Sequence, residues 1–269
     1  MLKSDFHMHT TLSTDGKSDM ADMIHSAASM GLQSICFTEH NDYDNPIGET
    51  PDFFVVDTDA YYARYCELKN IEPDLDVYFG VELGISQDNH EYFNEYTKKY
   101  PFDFIIGSSH YVGNLDPYTK EYYDSFESEE AAHLKYFETE LECAKLFDTF
   151  DVYGHLDYAL RYGPTRDLSF TYDKYADILD ELLKTLISKG KGIEINSAGF
   201  RKGMIGPNPA ESIIKRYKEL GGEIITVGSD AHHISELGAD FDKAEAVLEH
   251  CGFKYYTIFK ERKPEFISL

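Results

Sequence analysis

The chain has 269 residues, the size of one large αβ domain, and its 42% hydrophobic and 14% aromatic content is enough for a sizeable core and excludes disorder. Its 49 Asp and Glu against 25 Lys and Arg leave a formal charge of −24, which repels phosphate backbones and excludes a broad basic surface for polyanions. The excess is uneven, with nine acids and no Lys or Arg between Lys17 and Arg64.

Short runs rich in Ile, Val, Phe and Tyr alternate with amphipathic stretches along the chain, the pattern of buried parallel strands joined by helices. The first predicted strand covers residues 2–7. A helix over 19–30 follows, capped by Ser18 and closed by Gly31, with Met20, Met23, Ile24 and Ala27 on one face. Strands are predicted next at 33–38, 77–84 and 103–108, with long loops over 41–57 and 111–128. A helix over 129–147 precedes a strand at 152–155, and a helix over 172–189 precedes one at 192–196. Asn208-Pro209 opens a helix that runs to Leu220 and stops at Gly221-Gly222, before a seventh strand at 223–228. Residues 255–259 are either an eighth short strand or a terminal edge. Seven such units without a Pro/Gly/Ser-rich linker predict a single domain over 1–269, an α/β fold closed as a parallel (β/α)7 barrel. A doubly wound sheet would normally carry a Gly-rich phosphate loop after its first strand, and none is present.

The start of the chain is polar from the fourth residue, and no run approaches the ~20 apolar residues of a membrane helix. Cys36, Cys66, Cys143 and Cys251 form no CxxC pair, so neither a zinc ribbon nor a disulfide framework is indicated. A cytoplasmic protein with free thiols and no membrane partner is expected; oligomeric state is left open.

Six of the eleven histidines fall at or just beyond predicted strand ends: His7, His9, His40, His110, His155 and His232. Glu82 and Asp230 occupy equivalent places. In a parallel barrel these ends open on one face, where active sites lie. Imidazole nitrogens and carboxylate oxygens are ligands for divalent transition ions, and alternate residues such as His7 and His9 point the same way along a strand. A single histidine here would read as a satisfied polar group, but six together with matched acids read as a metal site, and Glu82 has two oxygens with which to bridge two ions.

His7-Met-His9-Thr10, Thr38-Glu39-His40, Gly80-Val-Glu82, Ser109-His110, Gly154-His155-Leu-Asp157 and Gly228-Ser-Asp230-Ala-His232 together resemble the polymerase-and-histidinol-phosphatase (PHP) metallohydrolase family. The resemblance runs in order from residue 5 to residue 232, and the length is similar to that of stand-alone members without an attached polymerase. It implies a distorted, TIM-like barrel of seven strands and three divalent ions, Zn, Mn or Fe. Carried over by position, the first ion takes His7, His9, Glu82 and Asp230; the second shares Glu82 and takes His110 and His155; the third takes Asp15, His40 and His232. Many members have a His where this chain has Asp15, a harder ligand that tilts that position toward Mn or Fe. Asp15-Gly16 is also a common turn pair, and the two roles are compatible.

The resemblance further implies a hydroxide bridging two ions as nucleophile, with Asp230 or His233 delivering the proton to the leaving alkoxide. His233 reads equally well as a surface histidine. Arg161 and Arg201 lie on strand-end loops, and their guanidinium forks suit a phosphate. Acids in the 41–59 loop would meet a cationic group of the substrate, or simply be solvated. The expected activity is hydrolysis of L-histidinol phosphate, a small phosphate ester; the alternative within the family is a phosphoesterase acting on nucleotides or another small phosphomonoester. A nucleic-acid partner is not expected at this charge.

Overall fold

Strands covered on both faces need residues that tolerate burial at every position. In this computed structural model, which describes residues 2–44, 46, 50 and 52–269, the central strands meet that requirement. They are β1 (Ser4–Asp5), β2 (Ser34–Phe37), β3 (His40–Asn41), β4 (Asp76–Gly84), β5 (Phe104–Ser108), β6 (Val152–Tyr153), β7 (Gly192–Asn196) and β8 (Ile225–Gly228). Asp76 at the start of β4 is their one exposed residue. All pair in parallel in the order β1, β2, β4, β5, β6, β7, β8, and β3 continues the line of β2 along β4 after a break at Thr38-Glu39.

The seam between the first and last of these strands is stitched just past their ends. Phe6 N–H donates to Val227 O at 2.9 Å, Asp230 N–H to His7 O at 2.8 Å and His9 N–H to Ala231 O at 2.8 Å. The sheet is therefore a nearly closed barrel of seven parallel strand positions, as the alternating pattern predicts.

Nine helices alternate with the strands among the described residues: α1 (Met20–Ser29), α2 (Thr58–Leu68), α3 (His90–Tyr96), α4 (Lys120–Asp124), α5 (Glu129–Leu146), α6 (Ala176–Ser188), α7 (Ala198–Arg201), α8 (Glu211–Glu219) and α9 (Phe241–His250). α1 buries Met20, Met23, Ile24 and Ala27, the predicted face. Its cap is Asp19, which accepts Ala21 N–H at 2.8 Å, rather than Ser18, whose hydroxyl accepts Ile234 N–H instead. α8 starts at Glu211, later than expected, because the backbone of Asn208 pairs with Asn196 at the end of β7. None of these helices is long and apolar enough to cross a membrane.

Residues 255–259 are not an eighth barrel strand. They lie in β9 (Tyr255–Lys260), which pairs antiparallel with β10 (Lys263–Ser268) as a separate hairpin. The hairpin closes the N-terminal mouth of the barrel: Phe259 stacks on Phe104 at 5.1 Å, Thr257 Oγ1 accepts Ile225 N–H, and Tyr256 OH meets Ser4 Oγ. That leaves the opposite mouth, at the C-terminal ends of the strands, open.

Candidate metal centre

Pleating at the end of β1 sends the rings of His7 and His9 to the same side, so their Nε2 atoms stand 3.1 Å apart. Glu82, inside β4, lies at the centre. Its Oε2 is 3.2 Å from His7 Nε2, 3.5 Å from His9 Nε2 and 3.0 Å from His40 Nδ1. Its Oε1 is 3.4 Å from His110 Nε2 and 3.0 Å from His155 Nε2. Asp230 Oδ1 closes one side, 3.8 Å from His7 Nε2 and 3.7 Å from His9 Nε2. On the other, Asp15 Oδ2 reaches His232 Nε2 at 3.1 Å and His40 Nε2 at 3.7 Å. The fold thus brings all nine residues of the expected ligand set into one cluster.

Several residues to which sequence reasoning gave no bracing role support this cluster. Glu194 on β7 accepts from His7 Nδ1 at 2.6 Å, and Asp42 accepts from His110 Nδ1 at 2.7 Å. Carboxylates on the far ring nitrogen fix a ligand's tautomer and orientation. Glu39 accepts from Thr10 and Ser13, and Ser13 Oγ in turn accepts His40 N–H, which ties the loop leading to Asp15 against His40. An acid in a fully buried parallel strand is the signal that would have found Glu194.

The electrostatics of the cluster are set by burial and by its closely packed imidazoles and carboxylates. Burial pushes His9 well below the ordinary imidazole range, and the neighbouring His40, His232 and His7 push it further. Such an imidazole is neutral and available as a ligand. Burial opposes the charge on Glu82 and Asp230, yet His7 beside both holds them well below the carboxylate range, helped by His110 at Glu82 and by Arg161 at Asp230. Glu82 Oε2 and His40 Nδ1 are close but not aligned for a hydrogen bond, and both are buried without a partner among the described residues. Buried polar atoms are normally satisfied, and a cation between them would satisfy both. Four trios of residues here, Glu82-His110-His155 and His9-His40-His232 among them, offer donor atoms within 4.8 Å of one another. The donor set fits divalent ions.

Above the cluster opens a cavity of about 520 Å³ whose rim carries Lys17, Arg161, Arg201 and Lys202. Arg201 donates to Ser229 O at 2.6 Å, while its Nη1 is buried without a partner among the described residues. Arg161 is held by Asn208, Asn196 and Asp230. His233 does not join them: its ring bonds Ser235 and caps the turn Ile234–Glu236. Of the acids in the 41–59 loop, Asp42 lines the cavity but is engaged by His110, and Glu49 lies outside the described residues. Asp116, from the second long loop, and Glu236, which accepts the backbone N–H of His232, are the other acids lining the cavity outside the cluster.

A parallel barrel that gathers histidines and carboxylates at the open ends of its strands defines a metal-dependent hydrolase. Residues 5–198 match the PHP domain, and the chain belongs to that family. It is 35% identical over 260 residues to a probable histidinol-phosphatase of Clostridium acetobutylicum, covering 96% of this chain and 97% of that one. It is 30% identical to the histidinol-phosphatase of Lactococcus lactis, covering 98% and 96%. The crystal structure of histidinol phosphate phosphatase from Lactococcus lactis, complexed with zinc, L-histidinol and phosphate, superposes with a TM-score of 0.88 at 29% identity over 98% of this chain and all of that one.

Proposed function

We propose that this chain is a metal-dependent phosphomonoesterase that hydrolyses L-histidinol phosphate to L-histidinol and inorganic phosphate, in the cytoplasm, as a step of histidine biosynthesis. One domain spanning 1–269 would carry the activity, since Asp230 and His232 lie beyond the matched 5–198 segment and yet in the same cluster. The observation that carries the reading is Glu82, whose two oxygens face five imidazoles at 3.0–3.5 Å beneath a basic-rimmed cavity. The zinc, L-histidinol and phosphate bound by the Lactococcus lactis relative support the substrate.

Three ions would be held, by His7, His9, Glu82 and Asp230; by Glu82, His110 and His155; and by Asp15, His40 and His232. Asp15 favours Mn or Fe over Zn at the last of these. When bound, such ions supply Lewis acidity, acidifying water and neutralising phosphoryl oxygens. The chain's own groups do the rest. Arg201 turns its free Nη1 donor to the phosphate, with Arg161 beside it. Asp230, whose Oδ2 is fixed by Arg161 and Asn196, takes a proton from the attacking water and returns it to the leaving alkoxide. That His233 bonds Ser235 and does not line the cavity supports giving this task to Asp230.

The test is elemental analysis of protein purified without chelators, joined to a panel of phosphomonoesters. The expected result is about three ions per chain and kcat/KM on histidinol phosphate at least ~100-fold above that on nucleotides and generic esters. Equal or better turnover of nucleotides would move the chain to the other phosphoesterase reading.

A further inference from the structure

β7 carries an acid where a buried parallel strand has little use for one. Glu194 is 1% exposed, and its carboxylate lies between the segments that follow β1 and β6. Oε1 accepts from His7 Nδ1 at 2.6 Å, while Oε2 accepts the backbone N–H of His155 at 2.9 Å and Asn196 Nδ2 at 3.2 Å. His155 has a φ of +20°, a backbone conformation that a non-glycine residue keeps only when its surroundings hold it there. Two glycines leave room for the arrangement. A Cβ on Gly228 would lie 2.3 Å from Glu194 Oε1 and 2.4 Å from His7 Cβ, and one on Gly154 would lie 2.4 Å from Ser108 Oγ.

We propose that Glu194 is a positioning residue that presents two ligands at once, keeping hydrogen on His7 Nδ1 so that Nε2 turns into the cluster, and fixing the backbone from which the His155 ring projects. The inference rests on the metal-centre reading, because His7 and His155 belong to the two ion positions that share Glu82. All three partners of Glu194 donate, so the place requires two acceptor oxygens. A glutamine supplies one and turns an NH2 toward a donor. An aspartate keeps both oxygens on a stem one methylene shorter.

Zinc affinity, measured by competition with a chromophoric chelator, is expected to fall about 10–100-fold in Glu194→Gln, the effect typical of losing a partner that orients a metal ligand, and to recover in part in Glu194→Asp. Glu140→Gln is the control, since Glu140 is an equally buried carboxylate on α5 away from the cluster, and it is expected to shift melting while leaving zinc affinity unchanged. In the zinc-loaded wild-type protein, long-range proton–nitrogen NMR is expected to find hydrogen on Nδ1 of His7. Wild-type zinc affinity in Glu194→Gln overturns the inference. So does hydrogen on Nε2 of His7 in the wild type, a measurement that needs no variant to fold. None of these readouts involves histidinol phosphate, so an inactive but zinc-tight wild type would defeat the proposed substrate and leave the role of Glu194 standing.

Discussion

Arg161 is 4% exposed, a burial that a guanidinium tolerates only when its donors are met. Nε donates to Asn208 at 2.8 Å, Nη1 to Asp230 at 3.1 Å and Nη2 to Asn196 at 3.1 Å, and the group lies over Tyr158 at 5.4 Å. A lysine keeps the charge but not the fork, so it cannot hold three acceptors at these angles. Arg161→Lys is therefore expected to lose about 10–100-fold in kcat/KM, as for other partners that orient metal ligands, with reduced metal content; wild-type kinetics would mean that Asp230 needs no such brace. A second residue sets a pH dependence away from the cluster. Burial lowers His133 to about 4, although Glu129 pulls the other way. Its folded value lies below the unfolded one of about 6.5, so the unfolded chain binds the extra proton in between and stability falls as pH drops from about 6.5 to 4. His133→Phe, packed against Tyr123 and Tyr175, is expected to lose less stability than wild type between pH 7 and 5, by up to roughly 2 kcal/mol. Parallel denaturation curves at the two pH values for both proteins would exclude this. Residues of this kind differ in how legible they are. The strand-end motifs mark eight of the nine cluster residues because those ligands project from or just beyond strand ends, whereas Asp15 sits on the loop after β1 and is reached only through the family resemblance. Asp42 hides among the nine acids between Lys17 and Arg64, and Glu194 matters through its pairing with His7, 187 residues away, and with the backbone of His155, 39 residues away. His233 is adjacent to His232, but one residue further along the loop its ring turns outward.

Most barrel strands are legible because burial on both faces demands short runs rich in Ile, Val, Phe and Tyr, with β1 (Ser4–Asp5) an exception, whereas the C-terminal hairpin has no such signature. Two-residue hairpin turns normally announce themselves with Asn-Gly or Asp-Gly, which accept positive φ readily. Here Glu261 and Arg262 take φ of +50° and +64°, so the turn looks like ordinary charged sequence and β9 passes for a last barrel strand. Arg262 holds this conformation through its side chain, which donates to Asp151 Oδ2 at 2.5 Å and to Thr149 O at 2.6 Å, while its N–H donates to Asp103 O. Burial pushes the Asp151 carboxyl up and Arg262 pulls it back, which makes the pair a clamp between the hairpin and the barrel. Arg262→Ala would leave Asp151 buried and unpaired. With Arg262 30% exposed, the expected loss is about 2–3 kcal/mol, below the ~3–5 kcal/mol of a fully buried pair. Urea denaturation measures it, and a midpoint within error of wild type would mean that the contacts of Phe259, Thr257 and Tyr256 hold the hairpin without this pair. Helix starts were legible to within four residues: α5 begins where expected, α6 begins at Ala176 after a 3-10 turn over Tyr172–Tyr175, and elsewhere a polar group serves a distant backbone instead, as Ser18 serves Ile234 and Asn208 pairs with Asn196.

A formal charge of −24 acts on the molecule in two distinct ways. Most of it is spread over solvated faces, where self-repulsion destabilises the compact state and salt screens it, with a Debye length of about 10 Å at 0.1 M and 3 Å at 1 M. A small part, Glu82 and Asp230, is gathered against imidazoles inside the mouth of the barrel, where screening by salt is weak, with the more exposed Asp15 beside it. Three divalent ions would bring the formal charge from −24 to about −18, but their effect on stability would come from that second, sheltered part. Zinc at 100 times its dissociation constant is expected to add about 2.7 kcal/mol per site, which for a domain of this size raises the melting temperature by roughly 5–10 °C. Raising sodium chloride from 0.1 to 1 M should lift the melting temperatures of the metal-free and zinc-loaded forms together, leaving the difference between them nearly constant at fixed free zinc. The two contributions separate in one set of melting curves. If the zinc increment instead collapsed in 1 M salt, the ions would be held by the diffuse acidic surface rather than by the Glu82 cluster, and the metal-centre reading would fall with it.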